Sequence, residues 1–435
     1  MSAEQNGVRR VAVTGLGIVS PCGIGRDAFW KSLKEGKSGV GAVTMFECSN
    51  VSGGIGGEVK DFNDETIKKV HLKDLRKSLR VMSRDIQMAM AAASQALAET
   101  RLKDSGINPE RVGVEYGANL IFSPPDDLKD GAKACTDEAG KFHLEEWGEK
   151  GLSKVEPLWM LKYLPNMPGC HIAIYADARG PSNSLTLDEA SAGVVITEAL
   201  RILRRRAADI MITGSTGTRL HPIRAMHARM WDDVGVNKEH PEQSCRPFDE
   251  RRTGQVIGEG AGCLILEDEE HAKKRGAKID GYLLGGGSSC VLGKDGKPNL
   301  HAAIVNAIHA ALRDAGLKPS DIGHINGHGA GDPEDDAIEA AAIHEAFGAD
   351  AARIPVASIK GYTGNSGGGS GMLEIIASLL TGAEGKAPKT LNADKPDPAL
   401  KLNVTTDFTP VANKKFLKLN YTRAGQATAV IFEAA

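Results

Sequence analysis

The chain has 435 residues, 41% hydrophobic and 25% charged, the composition of a globular protein long enough for a large buried core. A net charge of -3 gives no global signal for nucleic acid or an anionic membrane surface, and no apolar run approaches a membrane span. Seven scattered cysteines without a CxxC pair argue against a zinc site or a disulfide framework and predict a reduced, cytoplasmic setting, in keeping with an N-terminal MSAEQNGVRR that has no apolar signal region.

Arg10–Leu16 reads as a buried strand ending in a glycine turn, followed by a helix over Asp27–Glu35. Ser83–Thr100 carries apolar residues at helical spacing, with Ser83 as its N-cap. Val112–Tyr116 predicts a strand, and residues 122–154 a polar, acidic insertion with weak helical pattern. Further strands are expected at Ala173–Tyr175, Asp209–Thr213, Gly262–Glu267, Ile279–Leu284 and His324–Asn326, with helices at His301–Ala315 and Asp335–Phe347. Ser184–Leu203 runs strand, small residues, apolar helix. Pro355–Leu380 does the same, and a strand follows each copy, at Asp209–Gly214 and Phe416–Tyr421. Two copies of one unit suggest a pseudo-symmetric α/β fold.

The junction inside the first copy, SLTLDEASAG, places a residue at a helix N-terminus, where the dipole and unpaired N–H groups favour a nucleophile. It holds Asp188, Glu189 and Ala190 but no thiol. Cys170 and Cys263 lie elsewhere, and Cys263 sits in an apolar strand where cysteine acts as a small hydrophobe. The acidic run Asp332–Asp336 invites a metal reading. Favourable charge in a helix's first turn explains it, and no metal is expected. The glycine-rich loop Gly364–Gly371 lacks the Lys-Ser/Thr of a phosphate loop.

The segment RPFDERRTGQVIGEGAGCLILEDEEHAKKRGA (Arg246–Ala277), the opening VTGLGIVSPCGIG, NGHG and SIKGYTG together resemble the β-ketoacyl-acyl-carrier-protein synthase family of condensing enzymes over nearly the whole chain. The resemblance implies a thiolase fold, two pseudo-symmetric halves (1–275, including the insertion, and 276–435) in a layered α-β-α-β-α architecture. It implies no cofactor other than the phosphopantetheine of an acyl carrier protein that delivers substrate. The family's chemistry needs a thiolate nucleophile, groups that stabilise an enolate, and an oxyanion hole.

Residue by residue, the first histidine of that family matches His328, and Pro333, Asp336 and Glu339 match the pattern after it. Lys360 and Glu374 match its lysine and glutamate. The second histidine falls on Asn365, which can donate a hydrogen bond but cannot carry a proton. Hydroxyl residues that hold the pantetheine arm become Ala330 and Asp332. The gate and oxyanion loop becomes TRAGQ, with Ala424 and Gly425 at its centre. The nucleophile falls on Ala190 counted back from Gly193 and on Glu189 counted forward from Gly180. Lys73, Arg76, Lys77 and Arg80, at helical spacing in a basic stretch, resemble the family's landing site for the acidic carrier protein. Asn166–Asp177 resembles the edge strand through which thiolase-fold subunits dimerise.

These features point first to a non-condensing subunit, similar to chain length factors and paired with a cysteine-bearing synthase as a heterodimer. A homodimer is the other expectation. A malonyl-carrier-protein decarboxylase using His328 and Asn365 is the alternative. A 3-oxoacyl synthase with an atypical site is the lower one.

Overall fold

The structure is a computed structural model that describes residues 9–102 and 106–435. Its centre is one long mixed sheet. From edge to edge the strands run Asn403–Val404, Pro355–Ala357, His324–Asn326, Lys415–Thr422, Gln426–Ala434, Gly281–Cys290, Val11–Ser20, Glu259–Asp268, Ile210–Thr218, Val112–Ala118 and Ser182–Leu185. Gly281–Cys290 and Val11–Ser20 pair antiparallel in the middle. Outward from them each side repeats one pattern, two antiparallel neighbours and then two parallel ones, and Asn403–Val404 adds a further parallel pairing on one side.

Two inner helices, Ser191–Arg204 and Ser370–Ala383, share one core with Val11, Val13, Leu264 and Leu266 on one side and Phe416, Val430 and Phe432 on the other. The sheet therefore folds around this helix pair. The opposite faces of the same strands carry Val19, Cys263 and Ile265 in one half and Leu417, Leu419 and Ile431 in the other. Helices Arg84–Thr100 and Met167–Ala176 cover the first outer face, and Leu300–Ala315 and Pro333–Phe347 the second. The period-2 alternation of the strands thus builds five layers, α-β-α-β-α. The inner helices start very close together. A Cβ on Gly371 would stand 2.6 Å from the Ala192 methyl, and one on Gly193 would stand 2.3 Å from Thr428 Oγ1.

Three local expectations are corrected. Ala173–Tyr175 is not a strand, and Asn166–Asp177 is not a sheet edge. The segment forms helix Met167–Ala176, with Pro168 in its first turn and Asp177 closing it in the left-handed region at φ 51°. An apolar run such as HIAIYA fits either element, and the proline start decides. The edge on that side is Ser182–Leu185. Ser83 stands at the N-cap of Arg84–Thr100, but its hydroxyl makes no cap bond. The basic stretch is not one helix, because short turns at Ile67–His71, Lys73–Leu75 and Leu79–Val81 break it. Lys73, Arg76, Lys77 and Arg80 are nonetheless all exposed. The 122–154 segment holds helix Pro125–Ala134 and then short turns.

Candidate functional site

Three sharp turns converge at the N-terminal ends of the inner helices. The turn Asp188–Ala190 precedes Ser191–Arg204, and the glycine turn Gly367–Gly369 precedes Ser370–Ala383. The third is the loop after strand His324–Asn326, which carries His328. Glu339 fixes that loop from helix Pro333–Phe347, accepting the N–H groups of His328 (2.6 Å) and Gly329 (2.8 Å). Asp336 accepts those of Phe248 (2.8 Å) and Gly331 (3.2 Å).

Behind His328 lies a buried charge cluster. Lys360 Nζ meets Glu374 at 2.5 Å and donates to the His328 carbonyl at 2.6 Å, and both side chains are sealed from solvent. A second lysine, Lys418, reaches the other oxygen of Glu374 at 2.8 Å, and Asn420 donates to it at 3.0 Å. Burial alone would raise the Glu374 carboxyl, but the two ammonium groups hold it below the ordinary range. Lys418 is pushed down to about 8, by burial first and by the charge of Lys360 against the pull of Glu374.

His328 is buried against the Tyr421 ring, 4.3 Å between centroids. Burial pushes its pKa well below the usual value, and the charges of Lys360, Lys418 and Arg219 push the same way. The imidazole is therefore neutral near pH 7. Its Nδ1 faces two donors at 3.4 Å, Lys360 Nζ and Asn420 Nδ2. We assign the acceptor role to Nδ1 and the hydrogen to Nε2, which makes the ring a hydrogen-bond donor on its other side.

A second network fills the nucleophile turn. Glu189 is ion-paired with Arg219, and the two side chains are 9% and 13% exposed. Arg219 also meets Asp232 at 3.4 Å and Gln255 Oε1 at 2.9 Å. The Asn365 amide donates to Gln255 at 2.5 Å and to Glu189 at 3.3 Å, and its oxygen accepts from Gly367 N–H at 2.9 Å. Ala190 is fully buried in the turn. The pocket in front of this network holds about 260 Å³, lined by Glu189, Arg219, Arg224, Asp232, Arg423 and Ala424 among others. The Gly425 N–H, in the loop matched to an oxyanion donor, is spent on the Thr422 carbonyl at 3.1 Å. Asp332 caps helix Pro333–Phe347, accepting from Glu334 and Asp335 N–H. Among the described residues no group of three or more His, Cys, Asp or Glu side chains is arranged to hold a metal.

The description "Beta-ketoacyl synthase, N-terminal domain" matches residues 8–272, and its C-terminal counterpart matches 289–394. The chain belongs to the β-ketoacyl synthase family. It is 33% identical over 401 residues to a 3-oxoacyl-[acyl-carrier-protein] synthase 2 of Synechocystis, covering 91% of this chain and 90% of that protein. The corresponding Coxiella burnetii protein is 33% identical over 411 residues, 92% of each chain. Among solved structures, the ishigamide ketosynthase/chain length factor superposes with a TM-score of 0.83 at 25% identity, covering 98% of this chain and all of that one. A type II polyketide acyl-carrier protein in complex with its ketosynthase gives 0.82 at 26%, with the same coverage.

In this member of the family, His328, Lys360 and Glu374 form one network, and Asn365 and Glu189 belong to the other. Ala424 lines the pocket, while Lys73, Arg76, Lys77 and Arg80 lie on the surface. Sequence reasoning missed Arg219, Gln255, Lys418, Asn420 and Arg423. Lys418 and Asn420 left a trace, two polar residues two apart in the apolar strand FLKLNY, which points both to one buried face.

Proposed function

We propose that this protein is a non-condensing member of the family that acts beside a cysteine-bearing synthase, in the manner of a chain length factor. The observation that carries this reading is the Glu189–Arg219 pair at the nucleophile turn. With Glu189 taken as the residue in the nucleophile's seat, the seat holds a carboxylate already neutralised by a guanidinium and hydrogen-bonded by Asn365. No thiolate is available to take an acyl chain, and attack by the paired carboxylate would give an anhydride that water destroys. The name shared by the 33%-identical relatives therefore does not carry condensation over to this chain.

The acyl group is delivered on the phosphopantetheine of an acyl carrier protein, for which the exposed Lys73, Arg76, Lys77 and Arg80 offer a basic landing face. The open edge strand Ser182–Leu185 is where a partner subunit would add its own strand. The test is direct. The purified chain should form no 3-oxoacyl product from acyl- and malonyl-carrier protein, and should co-purify with a cysteine-bearing synthase from its native neighbours. Condensation by the isolated chain refutes the reading.

A second reading, malonyl-carrier-protein decarboxylase, draws on neutral His328 as an Nε2–H donor. Enolate stabilisation would also need the Asn365 amide, whose donors are committed to Gln255 and Glu189. Carbon dioxide release from malonyl-carrier protein that disappears in His328→Ala would establish it over the first reading.

A further inference from the structure

We propose that a second pocket, between the loop 236–239 and the segment 243–253, is a binding site for phosphate or a phosphate monoester. It holds about 400 Å³ and shares no lining residue with the pocket in front of Glu189. Its charged lining is Lys238, Arg246 and Arg251 against the single carboxylate of Glu239. Arg251 is neutralised where it stands, because Asp249 takes its Nε at 2.7 Å and its Nη2 at 2.9 Å. Arg246 is not. Its half-buried guanidinium donates to the Gln243 carbonyl at 2.8 Å and to Gln243 Oε1 at 3.2 Å, both neutral acceptors. A guanidinium carries five N–H donors, so most of its capacity is unspent. Exposed Lys238 has no carboxylate partner among the described residues. An arginine fork and an ammonium group, both without a counter-ion and lining one cavity, form the donor set that a phosphate group takes.

The cavity is shaped before anything enters it. Buried Ser244 Oγ accepts Asn237 N–H at 2.9 Å, and Asn237 Oδ1 accepts His240 N–H at 3.0 Å. Lys238 and Glu239 therefore ride on a turn that is closed at both ends. Asn392 holds the other side, donating to the carbonyls of Glu242 at 2.8 Å and Cys245 at 2.9 Å. The Ser244 hydroxyl accepts from the backbone and keeps its own hydrogen for a ligand oxygen, and Thr253 brings a second hydroxyl to the wall. Donors fixed in this way lose little freedom when a ligand arrives. Their number selects the ligand. A carboxylate has two oxygens and is satisfied by the fork alone, whereas a phosphate group has at least three acceptor oxygens for the fork, the ammonium group and a hydroxyl together. The volume falls within the roughly 300–1,000 Å³ of small-molecule sites, which leaves room for the organic part of a monoester.

This site draws nothing from the reading of the nucleophile turn, and its test involves no turnover, so the two can fail separately. Binding of inorganic phosphate and of glycerol phosphate to the full chain is followed by the broadening of their phosphorus NMR signals. At least one of the two should saturate with a Kd of about 1 mM or tighter, and acetate should compete poorly. Tighter binding of glycerol phosphate assigns the site to a phosphorylated small molecule, and tighter or equal binding of phosphate assigns it to the inorganic ion; both orders support the site. Arg246→Met should weaken binding at least about tenfold, the loss of charge-assisted hydrogen bonds, and Lys238→Ala about three- to fivefold, the loss of an exposed ionic contact. Arg224→Ala, which removes a guanidinium from the other pocket, should leave the affinity unchanged. No saturation below about 10 mM, or affinities within about twofold of the parent in both Arg246→Met and Lys238→Ala, overturns the proposal. Binding lost in Arg224→Ala but kept in those two variants places the anion in front of Glu189 and overturns it as well. If Arg246→Met does not fold, Lys238→Glu on the exposed turn decides in its place: lost binding supports the site and an unchanged affinity overturns it.

Discussion

Arg219 offers the sharpest test of how the nucleophile turn is held. Replacing it with methionine keeps most of the volume and removes the charge. Two carboxylates then lose their main partner in a buried place. Glu189 keeps the Asn365 amide at 3.3 Å, and Asp232 keeps Arg423 at 3.7 Å. Removing one member of a buried ion pair costs about 3–5 kcal/mol, mostly because the other charge is stranded. The two residual contacts place Arg219→Met at the lower end, about 3 kcal/mol. Removing Glu189 as well, in Arg219→Met with Glu189→Leu, takes the stranded charge away. The double variant should recover about 2 kcal/mol of the loss, since apolar replacement of a buried pair is often neutral. The assay is urea unfolding of the parent, both single variants and the double variant, followed by circular dichroism and tryptophan fluorescence together. A loss below about 1 kcal/mol in Arg219→Met, within the range of an exposed pair, refutes the reasoning. So does strict additivity in the double variant. Either result would mean that the Glu189 carboxylate is free, and the argument that it cannot receive an acyl chain would fail with it.

Two further outcomes are expected. Glu189→Cys should react with a cysteine-directed fatty-acyl mimic faster than Ala190→Cys, because Glu189 and not the fully buried Ala190 faces Asn365; mapping of the modified peptide checks this, and faster labelling at position 190 reverses the register. Glu115, buried in strand Val112–Ala118 with Oε2 unpartnered, is pushed from 4.5 up to about 7, by burial first and then by Glu198, against the pull of Arg205. A raised folded pKa means that its stabilising contribution is complete below about pH 4.5 and is lost as pH rises through about 7. Glu115→Gln should therefore narrow the fall in stability between pH 5 and pH 8 by roughly 2–3 kcal/mol at about 1.36 kcal/mol per pKa unit, read from denaturation midpoints at the two pH values. Parallel pH profiles for the two proteins would show that Glu115 ionises as an exposed carboxyl does.

Much of the fold is legible in the sequence because each element announces itself locally. Alternation in RVAVTGL and in the strand that ends GCLILE, and apolar spacing in SRDIQMAMAAASQALAET, need no partner to be read. Met167–Ala176 is misread for the converse reason. Its run HIAIYA is apolar throughout and shows no period, so the deciding signal is Pro168 in the first turn of a helix rather than the pattern itself. The basic stretch fails differently. Lys73, Arg76, Lys77 and Arg80 have helical spacing, yet the backbone breaks into short turns around buried Leu72 and Leu79. Tertiary burial of two leucines overrides a weak local preference.

The site divides along the same line. His328, Lys360, Glu374 and Asn365 are found because short motifs carry them. Arg219, Gln255 and Arg423 are found only in three dimensions, since each acts through residues far away in the chain: Arg219 on Glu189, Gln255 on Asn365, Arg423 on Asp332 and Asp335. These three residues turn isolated departures from the family pattern into one arrangement. Set against the pattern that the sequence resemblance implies, the thiol-free turn at Asp188–Ala190, Asn365, Asp332 and the loop TRAGQ read separately as four departures. In the structure Glu189 and Asn365 share one hydrogen-bonded network with Arg219 and Gln255, and Asp332 and the gate loop share another through Arg423. Asp232 joins the two networks, 3.4 Å from Arg219 and 3.7 Å from Arg423. Here the carboxylates of Glu189, Asp232 and Asp332 each face a guanidinium, that of Arg219 or Arg423, so the charges of the two networks balance one another.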